Sequence, residues 1–186
     1  MAADLHRYTL KNVEKSNLNL ILTWRNSPVI KEAMYSDHEI TMEEHLAWYK
    51  KIEEQKSVIA KLFIHDETPL GLVNFSNIDT RNNKCMWGFY IGADPAPRGA
   101  GTALGILALD YIFDKKGFRK VCAEVLEANS RSLNFHKKMG FQEEGRFQKH
   151  VWKTERFMDV IPMRIFKDEW PHVKQRLLGE MGGKEA

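Results

Sequence analysis

Asp94-Pro95-Ala96-Pro97-Arg98-Gly99-Ala100-Gly101-Thr102-Ala103 stands between a segment of period two and a segment of helical period. Small residues at 99, 100, 101 and 103 let a ligand lie directly against the main chain. The unpaired N–H groups of the following helix's first turn then point at that ligand, with the positive end of the helix dipole behind them. Such a loop suits a diphosphate. A tight strand-to-helix turn with no ligand is the competing reading. The stretch is neither a dinucleotide loop nor a Walker loop, because the G-x-G-x-x-G spacing and the Walker lysine are both missing.

Upstream, Val58–Ile64, Leu70–Ile78 and Cys85–Ile91 alternate as strands of an antiparallel meander, turned at Asp66–Pro69 and Asp79–Asn83. Tyr8–Val13 is the expected first strand. Leu18, Ile21 and Leu22 recur at helical spacing, and that helix ends at Trp24-Arg25-Asn26 before Pro28. Thr41 and Glu44 form a capping box for a second helix, with His45, Trp48, Tyr49 and Ile52 on one face. Downstream, Leu104, Leu107, Ala108, Tyr111 and Ile112 make a helical stripe closed by Lys115-Lys116-Gly117. A buried strand, Val121–Leu126, precedes a helix capped by Asn129 or Ser130 and stopped at Gly140. Two strands, 146–153 and 156–165, and a helix near 168–178 complete the series. The strand–helix–strand unit demands a right-handed parallel crossover inside an otherwise antiparallel arrangement. The expected fold is one α+β domain over residues 1–186, with a mixed, mostly antiparallel sheet flanked by helices and a loose tail at 181–186.

Composition narrows the function. With 43% hydrophobic residues, ten Phe, five Trp and five Tyr, the 186-residue chain has the apolar surface for a full core. Its longest uncharged stretches, around Cys85–Ala93 and Gly99–Leu109, fall short of a membrane span. No basic region followed by an apolar run opens the sequence, so no secretory signal is expected. Cys85 and Cys122 have no metal-type spacing and fit reduced thiols in the cytoplasm. A net charge of +3 lacks the basic stripe of a nucleic-acid binder but leaves room for a local anion site.

Arg98-Gly99-Ala100-Gly101-Thr102-Ala103 fits every position of [Gln/Arg]-x-x-Gly-x-[Gly/Ala], and here the chain resembles the GCN5-related N-acetyltransferases (GNAT). Asn129, Ser132, Lys138, Gly140 and Phe141 match a second element of that family, while His136 stands where the family usually has Tyr. The resemblance runs from Tyr8 to about Ile165. Trp24-Arg25-Asn26, the helix opened by Thr41-Met42-Glu43-Glu44-His45, and Gly140–Arg146 with Asp159 look like two branches. One comprises ribosomal-protein N-terminal acetyltransferases. The other acetylates the 4-amino group of a UDP-4-amino-4,6-dideoxy-hexosamine in pseudaminic acid synthesis, and the first two elements favour it.

The resemblance implies acetyl transfer from acetyl-CoA to an amine, across a sheet that opens between two parallel strands. Cofactor backbone then pairs with the edge near Ile91 and Ala93, residues Arg98, Gly99, Ala100, Gly101, Thr102 and Ala103 hold the pyrophosphate, and Asn129 and Ser132 lie along the pantetheine arm. Glu124, acidic inside an apolar strand, is either the base that deprotonates the amine or a solvated surface residue. His136 is either the acid that protonates the departing thiolate or a packing histidine. Arg25, Asn26, Asn74 and Ser76 are the candidate acceptor contacts. Arg146, Lys149, His150, Lys153 and Arg156 form either an anion site for a nucleotide diphosphate or a solvated basic face. No metal, nucleic-acid or membrane partner is expected. A non-catalytic acyl-CoA-binding module is the reading from another class, prompted by the missing Tyr.

Overall fold

The computed structural model describes residues 4–54 and 56–182. Eight strands form one sheet: β1 (Tyr8–Asn12), β2 (Ile59–His65), β3 (Thr68–Asp79), β4 (Lys84–Ile91), β5 (Lys120–Leu126), β6 (Gln142–Glu143), β7 (Phe147–Lys153) and β8 (Arg156–Phe166). Their order is β1-β2-β3-β4-β5-β8-β6, with β7 also on β8. Every pairing is antiparallel except β4 with β5. Asp66 and Glu67, and again Thr154 and Glu155, take the left-handed conformation at the β2–β3 and β7–β8 turns. Two-residue hairpins need that twist to match their strands.

Helices α1 (Leu18–Asn26), α2 (Pro28–Ala33) and α3 (Met42–Glu54) cover one face of the sheet. Helices α4 (Ala100–Asp110), α5 (Ser130–Lys138) and α6 (Trp170–Gly182) belong to the other. Helix α1 ends at Asn26, before Pro28 as expected, and Pro28 starts α2 at the position where its missing N–H costs nothing. The α3 capping box forms in full: Glu44 N–H donates to Thr41 Oγ1 at 3.2 Å, and Thr41 N–H to Glu44 Oε2 at 2.8 Å. Helix α4 is buried on nearly every side rather than along one stripe, and wedges between sheet and outer helices. It continues into a wider turn, Tyr111–Lys115, that Gly117 ends at φ +76°. Met181 and Gly182, expected in the loose tail, belong to α6, and residues 183–186 lie outside the described residues.

Candidate active site

Strands β4 and β5 share three rungs, Lys84↔Lys120, Cys85↔Val121 and Met86↔Cys122, and then part. Beyond that point β4 stays paired with β3 as far as Ile91, and β5 with β8 as far as Leu126. Two unpaired edges therefore face each other across a mouth in the sheet. Gly92 N–H donates to Leu70 O at 2.8 Å, on the β3 side. Strand N–H groups alternate sides, so those of Phe89 and Ile91 face the mouth. Ala93 does not offer the expected edge donor, because its N–H also turns back to Leu70 O, at 3.0 Å. Phe89 supplies the second edge position, which only the register reveals.

At the mouth's far end the quoted loop starts α4. Gly99 sits at φ +87°, a conformation that disfavours any side chain. Ala100 N–H bonds Pro97 O at 3.1 Å and Ala103 N–H bonds Gly99 O at 3.0 Å. The N–H groups of Gly101 and Thr102 have no backbone acceptor among the described residues. A Cβ at Gly101 would meet Phe135 at 3.7 Å, an ordinary contact, so the fold leaves this face open to a ligand. Lys138 Nζ reaches Thr102 Oγ1 at 3.2 Å and adds a cation beside the same turn. Glycine backbone, free N–H groups and a nearby ammonium fit a bound pyrophosphate.

Helix α5 is capped by Asn129, whose Oδ1 accepts from Ser132 N–H at 3.0 Å, so the cap leaves its amide N–H₂ to donate elsewhere. One turn on, His136 is 4% exposed. Its Nδ1–H donates to Ser132 O at 2.8 Å, and its Nε2 accepts from the Trp87 indole N–H at 3.1 Å. Both ring nitrogens are engaged as only a neutral imidazole allows. Burial among Trp87, Phe89, Phe135 and Phe141 pushes the ring's pKa down to about 4, against a smaller opposing pull from the Ser132 carbonyl. In this arrangement the ring's one proton is held by the Ser132 carbonyl, and Nε2 faces the Trp87 indole. Its indole partner lies 49 residues away in sequence, and no local pattern marks it.

On the opposite face of β4 a pocket of about 300 Å³ opens between β3–β4 and helices α1 and α3. Its floor is Gly88, where a Cβ would meet nothing within 4 Å. Arg25 lines it: Nη2 donates to Ser36 Oγ at 2.7 Å, while Nη1 is buried with no hydrogen-bond partner among the described residues. Burial holds this guanidinium's pKa below its ordinary value, against a weaker pull from Tyr90, whose own phenol is pushed up by burial. Asn74, across from Gly88, accepts at Oδ1 from Trp48 Nε1–H at 3.3 Å. Two expected acceptor contacts lie elsewhere. Asn26 brackets the main chain of Ile40 with both amide atoms, at 2.8 and 2.9 Å. Ser76 pairs with Met86, beside the closed end of the mouth, and is not part of the pocket wall.

Glu124 is exposed on β5, two residues past the last shared pair, and its Oε2 accepts the Tyr35 hydroxyl at 2.7 Å. Burial, followed by that carboxylate, drives the Tyr35 phenol's pKa far up, so it remains a donor. The expected basic cluster disperses. Arg146 pairs with Glu127 at 2.6 Å and Asp159 at 3.1 Å, and Lys153 is buried against main-chain carbonyls of the α2 region. Among the described residues no group of His, Cys, Asp and Glu is placed to hold a metal, and no helix is long and apolar enough to cross a membrane.

Comparison with known proteins agrees with this geometry. The Acetyltransferase (GNAT) domain model matches residues 7–142. Acetyltransferase PseH of Campylobacter jejuni is 32% identical over 135 residues, covering 71% of this chain and 83% of its own length. Spermidine N(1)-acetyltransferase of Escherichia coli is 21% identical, covering 89% of each chain. Spermidine N-acetyltransferase of Vibrio cholerae, solved with CoA and spermine, superposes with a TM-score of 0.83 over 89% of this chain and 99% of its own, at 21% identity.

Proposed function

The chain belongs to the GNAT acetyltransferase family and is an acetyl-CoA-dependent N-acetyltransferase; from that premise we propose that its acceptor is a UDP-linked 4-amino-4,6-dideoxy sugar. The observation that carries this reading is Arg25. Leaving a buried cation's N–H unbonded costs about 1–3 kcal/mol or more, a cost removed by an acceptor that brings a carbonyl or hydroxyl oxygen to Nη1. The apolar part of the wall, Ile21, Met34, Ile40, Trp48 and Leu72, suits the methyl groups of a deoxy sugar and its acetamido substituent. A polyamine fits the same pocket poorly. Its ammonium groups would meet an unpaired guanidinium, and Glu44 is already engaged by Thr41 N–H and His38. The relatives add support, PseH being 32% identical and the E. coli spermidine enzyme 21%.

Bound acetyl-CoA supplies an acyl thioester, the electrophile for the amine. In the reading we favour, the first turn of α4 and Lys138 hold its pyrophosphate. The outward N–H of Phe89 or Ile91 donates to the thioester oxygen as negative charge develops there. The acceptor's amine must lose a proton to attack, and Glu124, on the pocket's side of the sheet, takes it. Carbon–sulfur cleavage then releases a thiolate. With a pKa of roughly 8.5 such a thiolate regains its proton from solvent near neutral pH, so His136 is not needed.

Initial rates with UDP-4-amino-4,6-dideoxy-N-acetyl-altrosamine, spermidine and a ribosomal-protein N-terminal peptide, offered in parallel, test the acceptor. The sugar is expected to lead in kcat/KM by about tenfold or more, equivalent to ~1.4 kcal/mol. A comparable lead for spermidine or the peptide overturns it.

A further inference from the structure

Met34-Tyr35-Ser36, the segment that leaves α2, borders the β4-side pocket at Met34, reaches Glu124 of β5 at Tyr35 and is tied down at each residue. Ser36 Oγ accepts from Arg25, and the Tyr35 hydroxyl donates to Glu124. The third tie comes from β7. Lys153, 2% exposed, donates from Nζ to Lys31 O at 3.0 Å, to Glu32 O at 2.8 Å and to Met34 O. Those carbonyls lie at and just beyond the C-terminal end of α2, where the dipole is negative and, among the described residues, only Lys31 O has a main-chain donor, Met34 N–H at 3.2 Å. An ammonium has three protons, and three carbonyls take them. At six residues α2 is too short to hold itself, so this cap from a strand more than a hundred residues away fixes where the helix ends. Among the described residues no carboxylate lies within ion-pair distance of Lys153, and burial lowers its pKa. Such a buried cation is retained only with its protons fully engaged.

We propose that Lys153 is a positioning residue for acetyl transfer. By capping α2 it holds the Met34–Ser36 strap across the mouth, which aims Tyr35 at Glu124 and sets Met34 in the acceptor pocket's wall. Lys153 does not itself touch substrate. The inference rests on the reading of Glu124 as the group that takes the amine's proton.

The test uses the full chain saturated with acetyl-CoA. In Lys153→Met, hydrogen exchange of amides 32–37 is expected to accelerate by roughly tenfold or more, while amides 99–103 and acetyl-CoA affinity stay unchanged. With the UDP-linked 4-amino sugar as acceptor, or spermidine if the sugar is refused, kcat should fall by about tenfold, and Lys153→Arg should recover part of it. Tyr35→Phe, which removes one hydroxyl and keeps the ring, should lower kcat by about three- to tenfold with acetyl-CoA KM unchanged, and it decides the matter if Lys153→Met fails to fold. Added to Glu124→Gln, Lys153→Met should cost less than about twofold more in kcat with the acceptor saturating, since the loss through Met34 falls on acceptor KM and the loss in kcat runs through one carboxylate. Unchanged exchange in Lys153→Met, kcat within about twofold in Tyr35→Phe, or full additivity with Glu124→Gln overturns the positioning role. Wild-type turnover in Glu124→Gln instead sinks the base assignment, a separate failure, because the exchange result still reports whether the strap is held.

Discussion

His136 makes two hydrogen bonds that the imidazolium cannot make together, since protonated Nε2 would turn a donor toward the Trp87 indole N–H. The folded ring takes up its proton near pH 4, the unfolded one near 6.5. Between those values the unfolded chain binds more protons. The contribution is therefore complete above about pH 6.5 and is lost as pH falls toward 4, by up to about 3 kcal/mol. Guanidinium chloride unfolding from pH 7 to 4 should show that slope in wild type and lose much of it in His136→Gln. The same variant should keep kcat within about threefold, because in the proposed mechanism solvent returns the thiolate's proton. Arg25→Met separates function from stability in another way. Removing a half-buried cation whose Nη1 has no partner among the described residues, at the loss of the Nη2 bond to Ser36, should leave stability within ~1–2 kcal/mol of wild type, while kcat/KM for the acceptor falls by about tenfold or more. A melting temperature lowered by several degrees would mean that Arg25 holds the fold rather than the ligand.

At the scale of elements, what a sequence reveals depends on how far apart the interacting residues lie. The diphosphate loop compresses its requirements into Gly99–Ala103 and is legible there. So are the α3 capping box and the meander, whose periods repeat within a few residues. Helix α2 and strand β6 are too short for a period to emerge. The strap depends on Tyr35–Glu124, 89 residues apart, and Lys153–Met34, 119 apart, and neither pair leaves a local trace. Lys153 consequently resembled one basic residue among five, and Asn26 resembled a sugar contact when its amide was needed by Ile40. Two substitutions probe how elements meet. Gly101→Val should weaken acetyl-CoA binding by about tenfold or more in titration calorimetry while the fold survives, since a Cβ there meets only Phe135 at 3.7 Å. Gly92→Ala does the reverse. Its Cβ would stand 2.2 Å from the Trp24 ring, so α1 must shift off the end of β4. A loss of roughly 1–3 kcal/mol is expected in thermal unfolding, with acetyl-CoA affinity retained.

In the molecule as a whole, one sheet is held at its centre by three rungs, and two unpaired strand edges face each other beyond them. A ligand that contacts the β4 edge, the start of α4 and α5 therefore joins the two halves. Acetyl-CoA at about 100 times its dissociation constant should stabilise the protein by ~2.7 kcal/mol, a shift of several degrees in melting temperature. Gly101→Val should abolish most of that shift at the same concentration. In the proposed mechanism the two faces of the sheet also divide the work: the donor's loop lies with α4 and α5, the acceptor's pocket with α1 and α3. That division gives Gly88 an evolutionary meaning. Its missing side chain leaves empty space on the acceptor face, and a Cβ there disturbs no neighbour. Each carbon added at position 88 would shrink the room for the acceptor without loosening the core or touching the donor's site. If the proposed pocket holds the acceptor, substrate range can drift through single replacements at position 88 that selection for folding does not see.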